Sequence, residues 1–383
     1  MSASKGLQWI EVKTEVLTRN LRAFAKHLPA STALAPVVKS NAYGHELELA
    51  ARAFAAGGAS WFCVHSFDEA CRLAKLALGQ RILILGPLGD QELQGAIEAG
   101  FNLTVYDAQR LRELAAAAAK IGYPAKLHLK VETGTWRQGV TRGELAECLA
   151  VIKREAGLEL AGVHSHYANI EDTTDHSYAE EQSRVFEEIL AEIEGAGLHP
   201  QSVHMSCSAA AILFPSRFMD LARIGIAAYG YWPSSPTLVS ARKGSSAQEL
   251  DIKPALSWKA RVAQLKTVPA GSYIGYGCTD KAEVETRLAL LPVGYADGYS
   301  RNMSGRAHVL VQGKRCPVRG RICMNLMMVD VTHLSTVQLG EEAVLLGSQN
   351  GETLAAETLA EWAGTIHYEI LARISPALTR VAV

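Results

Sequence analysis

Short apolar runs recur along the first half of the chain, at residues 33–39, 60–65, 81–85, 102–106, 125–131, 158–166, 202–207 and 221–224. Between them apolar positions fall at helical spacing, over 46–56, 67–77, 91–99, 107–121, 142–156 and 176–196. Buried runs alternating with amphipathic helices predict right-handed βα units on a parallel sheet. About eight such units in roughly 200 residues match the count and length of a closed (β/α)8 barrel. An open doubly wound sheet is the alternative, but it normally carries G-x-G-x-x-G after its first strand, which is missing here. After Pro233 the pattern changes. Residues 233–249, rich in Pro, Ser, Gly and Ala, read as a connector. Beyond it, short alternating strands are predicted at 256–268, 289–292, 307–311, 327–331 and 343–346, with one helix at 354–363. The expected fold class is therefore α/β: a TIM-type barrel over 13–240, then a mainly β domain over 241–383. A strand-like piece at 7–12 is expected to pack on that second domain.

Composition narrows the function. The chain has 383 residues, more than one typical domain, and 48% of them are hydrophobic, so cores are easily filled. With 38 basic against 39 acidic residues there is no excess positive field for nucleic acid, and no basic run suggests a membrane surface. Residues 1–10 lack the pattern of a secretory leader, and no window resembles a spanning helix, so a cytoplasmic protein is expected. The 7 cysteines are odd in number and form no C-x-x-C pair, which argues against a disulfide framework and structural zinc.

Catalytic side chains of such barrels lie at the C-terminal ends of strands. Those ends supply Lys39, Lys130, His166, Ser208 and Arg223, with Tyr43 and Arg137 on the loops that follow. So many cations call for an anionic ligand. A lysine buried at a strand end loses hydration and its pKa falls, which suits carbonyl chemistry; a lysine that snorkels to water is the plain alternative. Gly225 and Ile226 follow a late strand, where barrels commonly bind phosphate through backbone N–H groups; a simple turn is the other reading. His164, His166 and His204, with a carbamylated Lys130, could instead hold a metal, as in a barrel hydrolase, although no Asp or Glu falls at a strand end to complete it. Tyr276 and Tyr295 sit on glycine-rich turns of the second domain.

Three motifs bring these pieces together: Val38-Lys39-Ser40-Asn41-Ala42-Tyr43-Gly44-His45, Pro292-Val293-Gly294-Tyr295-Ala296-Asp297-Gly298-Tyr299, and Tyr368-Glu369-Ile370. In that order, across nearly the whole chain, they resemble the alanine racemase family of pyridoxal-phosphate enzymes. The resemblance implies a homodimer with shared active sites, acting on a small amino acid and supplying D-alanine for peptidoglycan. It makes Lys39 the Schiff-base lysine and one base, and Tyr276 from the partner subunit the base on the other cofactor face. It matches Tyr43, Ser208, Gly225, Ile226 and Tyr368 to the phosphate, Arg223 to the pyridine nitrogen and His166 to the ring. It matches Arg137 to the cofactor phenol and substrate carboxylate, and Lys130 to the lysine often carbamylated. Tyr295 and Met324 match substrate-entry and carboxylate-contact positions.

Several residues depart from the family pattern: Cys207, Trp136, Asn325, Glu46, His367 and Ala377. Trp136 and Asn325 leave room for a racemase that prefers serine or another small amino acid. A barrel that binds pyridoxal phosphate without turnover is a further alternative, but it would give Tyr276 and the second domain no purpose.

Overall fold

The eight expected barrel strands are present, all but the last shorter than the apolar runs that predicted them. The computed structural model describes residues 6–243 and 250–383. Strand β1 is Gln8–Val12. Then come β2 Ala33–Pro36, β3 Trp61–Val64, β4 Arg81–Ile84, β5 Asn102–Val105, β6 Ala125–Lys130, β7 Leu158–His164, β8 Ser202–His204 and β9 Leu221–Ile224. Strands β3 to β8 form one parallel sheet in sequence order, and β2 pairs with β9. The seam between β2 and β3 is bridged by Val37 and Cys63, with Val38 N–H donating to Cys63 O at 2.8 Å. Between β8 and β9, the Ser206 hydroxyl substitutes for backbone pairing: it accepts from Arg223 N–H and donates to Leu221 O.

The helices between strands start where polar caps satisfy the first N–H groups. Ser66 and Glu69 form a reciprocal capping box for Phe67–Ala74, and Asp107 caps Ala108–Ile121. A helix at Thr14–His27 precedes β2 and buries Leu17, Leu21 and Phe24. It escaped the sequence reading because its apolar positions are diluted by polar ones. Part of the expected connector is also helical, at Ser235–Lys243, while 244–249 of it, like residues 1–5, lies outside the described residues. The stretch read as one strand over 256–268 is two. Strand β10, Leu256–Arg261, and β11, Gln264–Val268, separate at Val262 and Ala263, whose N–H groups bond to Glu341 and Leu290.

The chain divides into two compact units. One comprises 15–39 and 50–254, the other 1–14, 40–49 and 255–383. The second is built on one long sheet. Its further strands are β12 Thr286–Leu291, β13 His308–Val311, β14 Lys314–Arg319, β15 Met327–Asp330, β16 Glu342–Gln349, β17 Glu352–Leu354 and β18 Arg380–Ala382. The order is β11-β12-β15-β14-β13-β16-β10-β1-β18, with β17 on β16. Strand β1 pairs antiparallel with β10 and parallel with β18. Among the described residues no helix is long and apolar enough to cross a membrane.

Candidate active site

Lys39 stands just beyond β2, where the expected simple turn is something tighter. Ser40, Asn41, Ala42 and Tyr43 all have φ between 51° and 55°, a left-handed turn of four non-glycine residues. Each such residue costs roughly 1–2 kcal/mol, so the turn must be held by its surroundings. Asn41 Oδ1 accepts from Leu47 N–H at 3.2 Å, and buried His45 places Nδ1 3.0 Å from Tyr43 O. Glu46, one of the departures, has a local role: its carboxylate accepts from the N–H groups of Glu48 and Leu49 and starts the helix Leu47–Ala56. Burial pushes the Lys39 amine below the usual lysine range; Arg137 adds to this and Glu69 opposes it.

Parallel register sets Lys130, His164 and His204 side by side on β6, β7 and β8. Lys130 is 7% exposed, and its Nζ donates to Gln138 Oε1 at 3.0 Å. Burial, then Arg137 and Arg223, push it down to about 7. Arg223, on β9, is buried and donates to His204 Nδ1 and to Ser165 O, the latter at 2.8 Å. Nearby acids are engaged elsewhere: Glu132 accepts from the N–H groups of Gly134 and Thr135, and Glu69 from that of His65. At the other end of the barrel a cavity of about 490 Å³ holds Arg81 and Lys126 against Glu159 and Asp220, so charge balances there.

The histidines are arranged differently from the metal reading. His164 and His204 stack, with ring centroids 4.9 Å apart and planes 14° apart. His204 Nε2 lies 2.9 Å from His128 Nδ1, so both of its nitrogens are taken. His128 fits because residue 162 is glycine: a Cβ there would lie 2.5 Å from the His128 ring. His166 falls beyond the end of β7 and does not join the stack. Among the described residues, no group of three His, Cys, Asp or Glu is disposed to hold a metal ion.

Ser208 opens a short helix after β8. Its Oγ accepts from Gly225 N–H at 3.0 Å and Ala227 N–H at 3.3 Å. Ser208 thus holds the turn in which Gly225 and Ile226 follow β9. Sequence reasoning missed Gln138, Ser165 and His128; Ser165 and His128 bond to residues distant in sequence, Gln138 lies on the loop after β6, and no local pattern marks any of them.

In the β unit, Tyr276 is 68% exposed on a turn between Gly275 and Gly277, both at positive φ. Asp280 braces this loop: Arg319 grips its carboxylate with two bonds of 2.8 Å, and Asp280 O accepts from Ile274 N–H. Tyr295 and Met324 are neighbours, because Tyr295 N–H bonds to Cys323 O and Ala296 N–H to Met324 O. Gly294 allows this approach; a Cβ there would lie 2.3 Å from both carbonyl oxygens. Tyr43 and Tyr368 rings lie 6.4 Å apart, and His367 packs on Tyr368 at 4.8 Å. Nothing in the fold of either unit accounts for Trp136, which is 79% exposed.

Comparison with known proteins adds to this geometry. Residues 12–233 match the model of the alanine racemase N-terminal domain, and 255–382 that of the C-terminal domain. An alanine racemase of Desulforamulus reducens is 37% identical over 375 residues, covering 97% of this chain and 98% of that one. One from Leptospira interrogans is 35% identical, covering 98% and 95%. The crystal structure of alanine racemase from Bacillus anthracis with bound L-Ala-P superposes with a TM-score of 0.91 at 32% identity, covering 98% of this chain and 95% of that one. That from D-cycloserine-producing Streptomyces lavendulae gives 0.89 at 36%, covering 98% and 97%. Family models on both halves and full-length relatives agree: the chain belongs to the alanine racemase family, pyridoxal-phosphate-dependent isomerases built from an α/β barrel and a mainly β domain.

Proposed function

We propose that this chain interconverts L- and D-alanine with pyridoxal 5'-phosphate, with Lys39 and Tyr276 acting on opposite faces of the substrate. The observation that carries this reading is the cation cluster of Lys39, Arg137 and Arg223, beside Lys130 at about 7, whose acidic neighbours are engaged elsewhere. Such a set fits an anionic cofactor. In this reading Ser208, Gly225 and Ile226 hold the phosphate together with Tyr43 and Tyr368. Arg223 meets the ring nitrogen, and His166 packs on the ring. The barrel domain is taken as 13–240 and the β domain as 241–383.

When bound, the cofactor supplies an electron sink that acidifies the substrate Cα–H. Lys39 Nζ, its pKa lowered by burial and Arg137, accepts or returns the proton on one face. The Tyr276 hydroxyl of a second copy does so on the other, so the substrate need not turn over. Arg223 keeps its own protons and leaves the ring nitrogen unprotonated. That weakens the sink and favours return of the proton to Cα. Arg137 and Met324 orient the substrate carboxylate, and Tyr295 lines the entry.

The test is one-sided exchange. The purified holoenzyme should racemise L-alanine faster than other chiral small amino acids, serine included. Lys39→Ala should lose both activity and the visible cofactor band. With Tyr276→Phe, solvent deuterium should still enter the Cα of D-alanine, while exchange into L-alanine collapses. Equal residual exchange from both enantiomers would defeat the two-base assignment.

A further inference from the structure

We propose that Gln182 is a positioning residue for this site, fixing the ends of β6 and β7 and, through Ser165, the guanidinium of Arg223. Gln182 lies on the helix Ser177–Gly195 and is fully buried. A buried amide is costly unless its hydrogen bonds are made. Here they are. Oε1 accepts from Ala168 N–H at 2.9 Å, and Nε2 donates to His166 O at 3.2 Å and to Thr133 Oγ1 at 3.3 Å. A backbone donor on one side and a backbone acceptor on the other settle which end of the amide is nitrogen.

The bonds beyond it have one direction. Ser165 Oγ gives its only hydrogen to Val131 O at 2.9 Å. The Thr133 hydroxyl, 2.7 Å from Ser165 Oγ, must therefore donate to it. The Thr133 oxygen in turn takes the hydrogen of Gln182 Nε2. The chain runs from Gln182 to Thr133 to Ser165 to Val131, the residue after Lys130. Ser165 O accepts from Arg223 Nη2 at 2.8 Å, and Thr135 Oγ1 donates to His166 O at 2.7 Å. One side chain thus ties the loop after β6, with Thr133 and Thr135, to the loop after β7, with Ser165, His166 and Ala168. The next residue on the helix reinforces it: Ser183 Oγ lies 2.9 Å from the Tyr167 hydroxyl. Leucine would fill the same space but could not set the direction of this chain.

The inference rests on the reading that Arg223 and His166 meet the cofactor, and the experiment separates the two. Pyridoxal 5'-phosphate affinity and the visible spectrum of the bound cofactor are measured on the full chain for four single variants and for Gln182→Met combined with Thr133→Val. Gln182→Met removes all three bonds. Gln182→Glu keeps the shape and the acceptor for Ala168 N–H but loses both donors, so the Thr133 hydrogen turns away from Ser165. Both should weaken cofactor binding about tenfold at about pH 8 while the fold, followed by circular dichroism, is kept. The Gln182→Glu defect should shrink as pH falls toward about 6, because a protonated carboxyl regains one donor; the Gln182→Met defect should not. Thr133→Val, the gentlest change, should weaken binding in the same direction and be non-additive with Gln182→Met. Arg223→Lys is the reference. If it shifts affinity and spectrum while folded Gln182 and Thr133 variants match the wild type, the positioning role is overturned. If Arg223→Lys shifts neither, the cofactor reading itself falls.

Discussion

Lys130 shows how far surroundings can change one side chain. Its pKa of about 7 leaves much of the amine as free base near neutrality, and Arg137 and Arg223 would stabilise a negative charge there. A free amine adds carbon dioxide: a new N–C bond forms, one proton is released, and a carbamate anion remains. We predict that Lys130 is carbamylated. Carbon-13 bicarbonate should give a carbamate resonance that grows as pH rises through about 7 and is missing in Lys130→Ala. No such resonance from the wild type at any pH would defeat the assignment. The sequence placed Lys130 at a strand end. Its partner Gln138 and its lowered pKa depend on neighbours that only the closed barrel supplies. Glu46 is similar: in sequence it is only a departure, and in the structure it is a helix cap.

At the scale of elements, the barrel strands were legible because most are short runs buried on both faces. The left-handed turn at 40–43 was not. Asn-Ala-Tyr-Gly signals a turn, but no propensity predicts three of those residues and Ser40 at positive φ together. The histidine array was half legible: one-residue spacing marks His164 and His166 as neighbours, whereas stacking on His204 follows from strand register. This array has a consequence for stability. Burial, then charge from Arg223, brings His128 down to about 3; His164 and His204 are also held well below 6.5 by burial. Unfolded, each would titrate at its ordinary value of 6.5. Below that pH the unfolded chain binds protons that the folded chain refuses. Stability is therefore intact above 6.5 and falls as the solution is acidified, by up to about 1.4 kcal/mol per pH unit for each imidazole. His164→Phe keeps the ring and removes the titration. Denaturant unfolding from about pH 7.5 to about 5 should show its slope reduced by about one proton. An unchanged slope would mean that His164 is protonated in the folded state.

For the whole molecule, the order of the two domains was legible from the change of pattern near residue 233, whereas the homodimer was implied only by the family resemblance. What a single chain shows is that the β unit exposes Tyr276, Tyr295, Met324, Leu326 and Ile366. We predict a two-fold homodimer in which each active site takes Lys39 from one chain and Tyr276 from the other. Lys39→Ala and Tyr276→Ala homodimers should each be nearly inactive, because every site lacks one base. Unfolded together in equal amounts and refolded with cofactor, the two chains pair at random, and about half the dimers are mixed. In a mixed dimer one site carries both substitutions and the other carries neither. About a quarter of all sites are then intact, and about a quarter of wild-type activity should return. Separately refolded homodimers, combined afterwards without exchange, should remain inactive. If dimers shown to be mixed by mass spectrometry regain nothing, either both residues act within one chain or Tyr276 is not the second base. The deuterium exchange of Tyr276→Phe then decides which: one-sided exchange keeps Tyr276 as a base within its own chain, and equal exchange removes it.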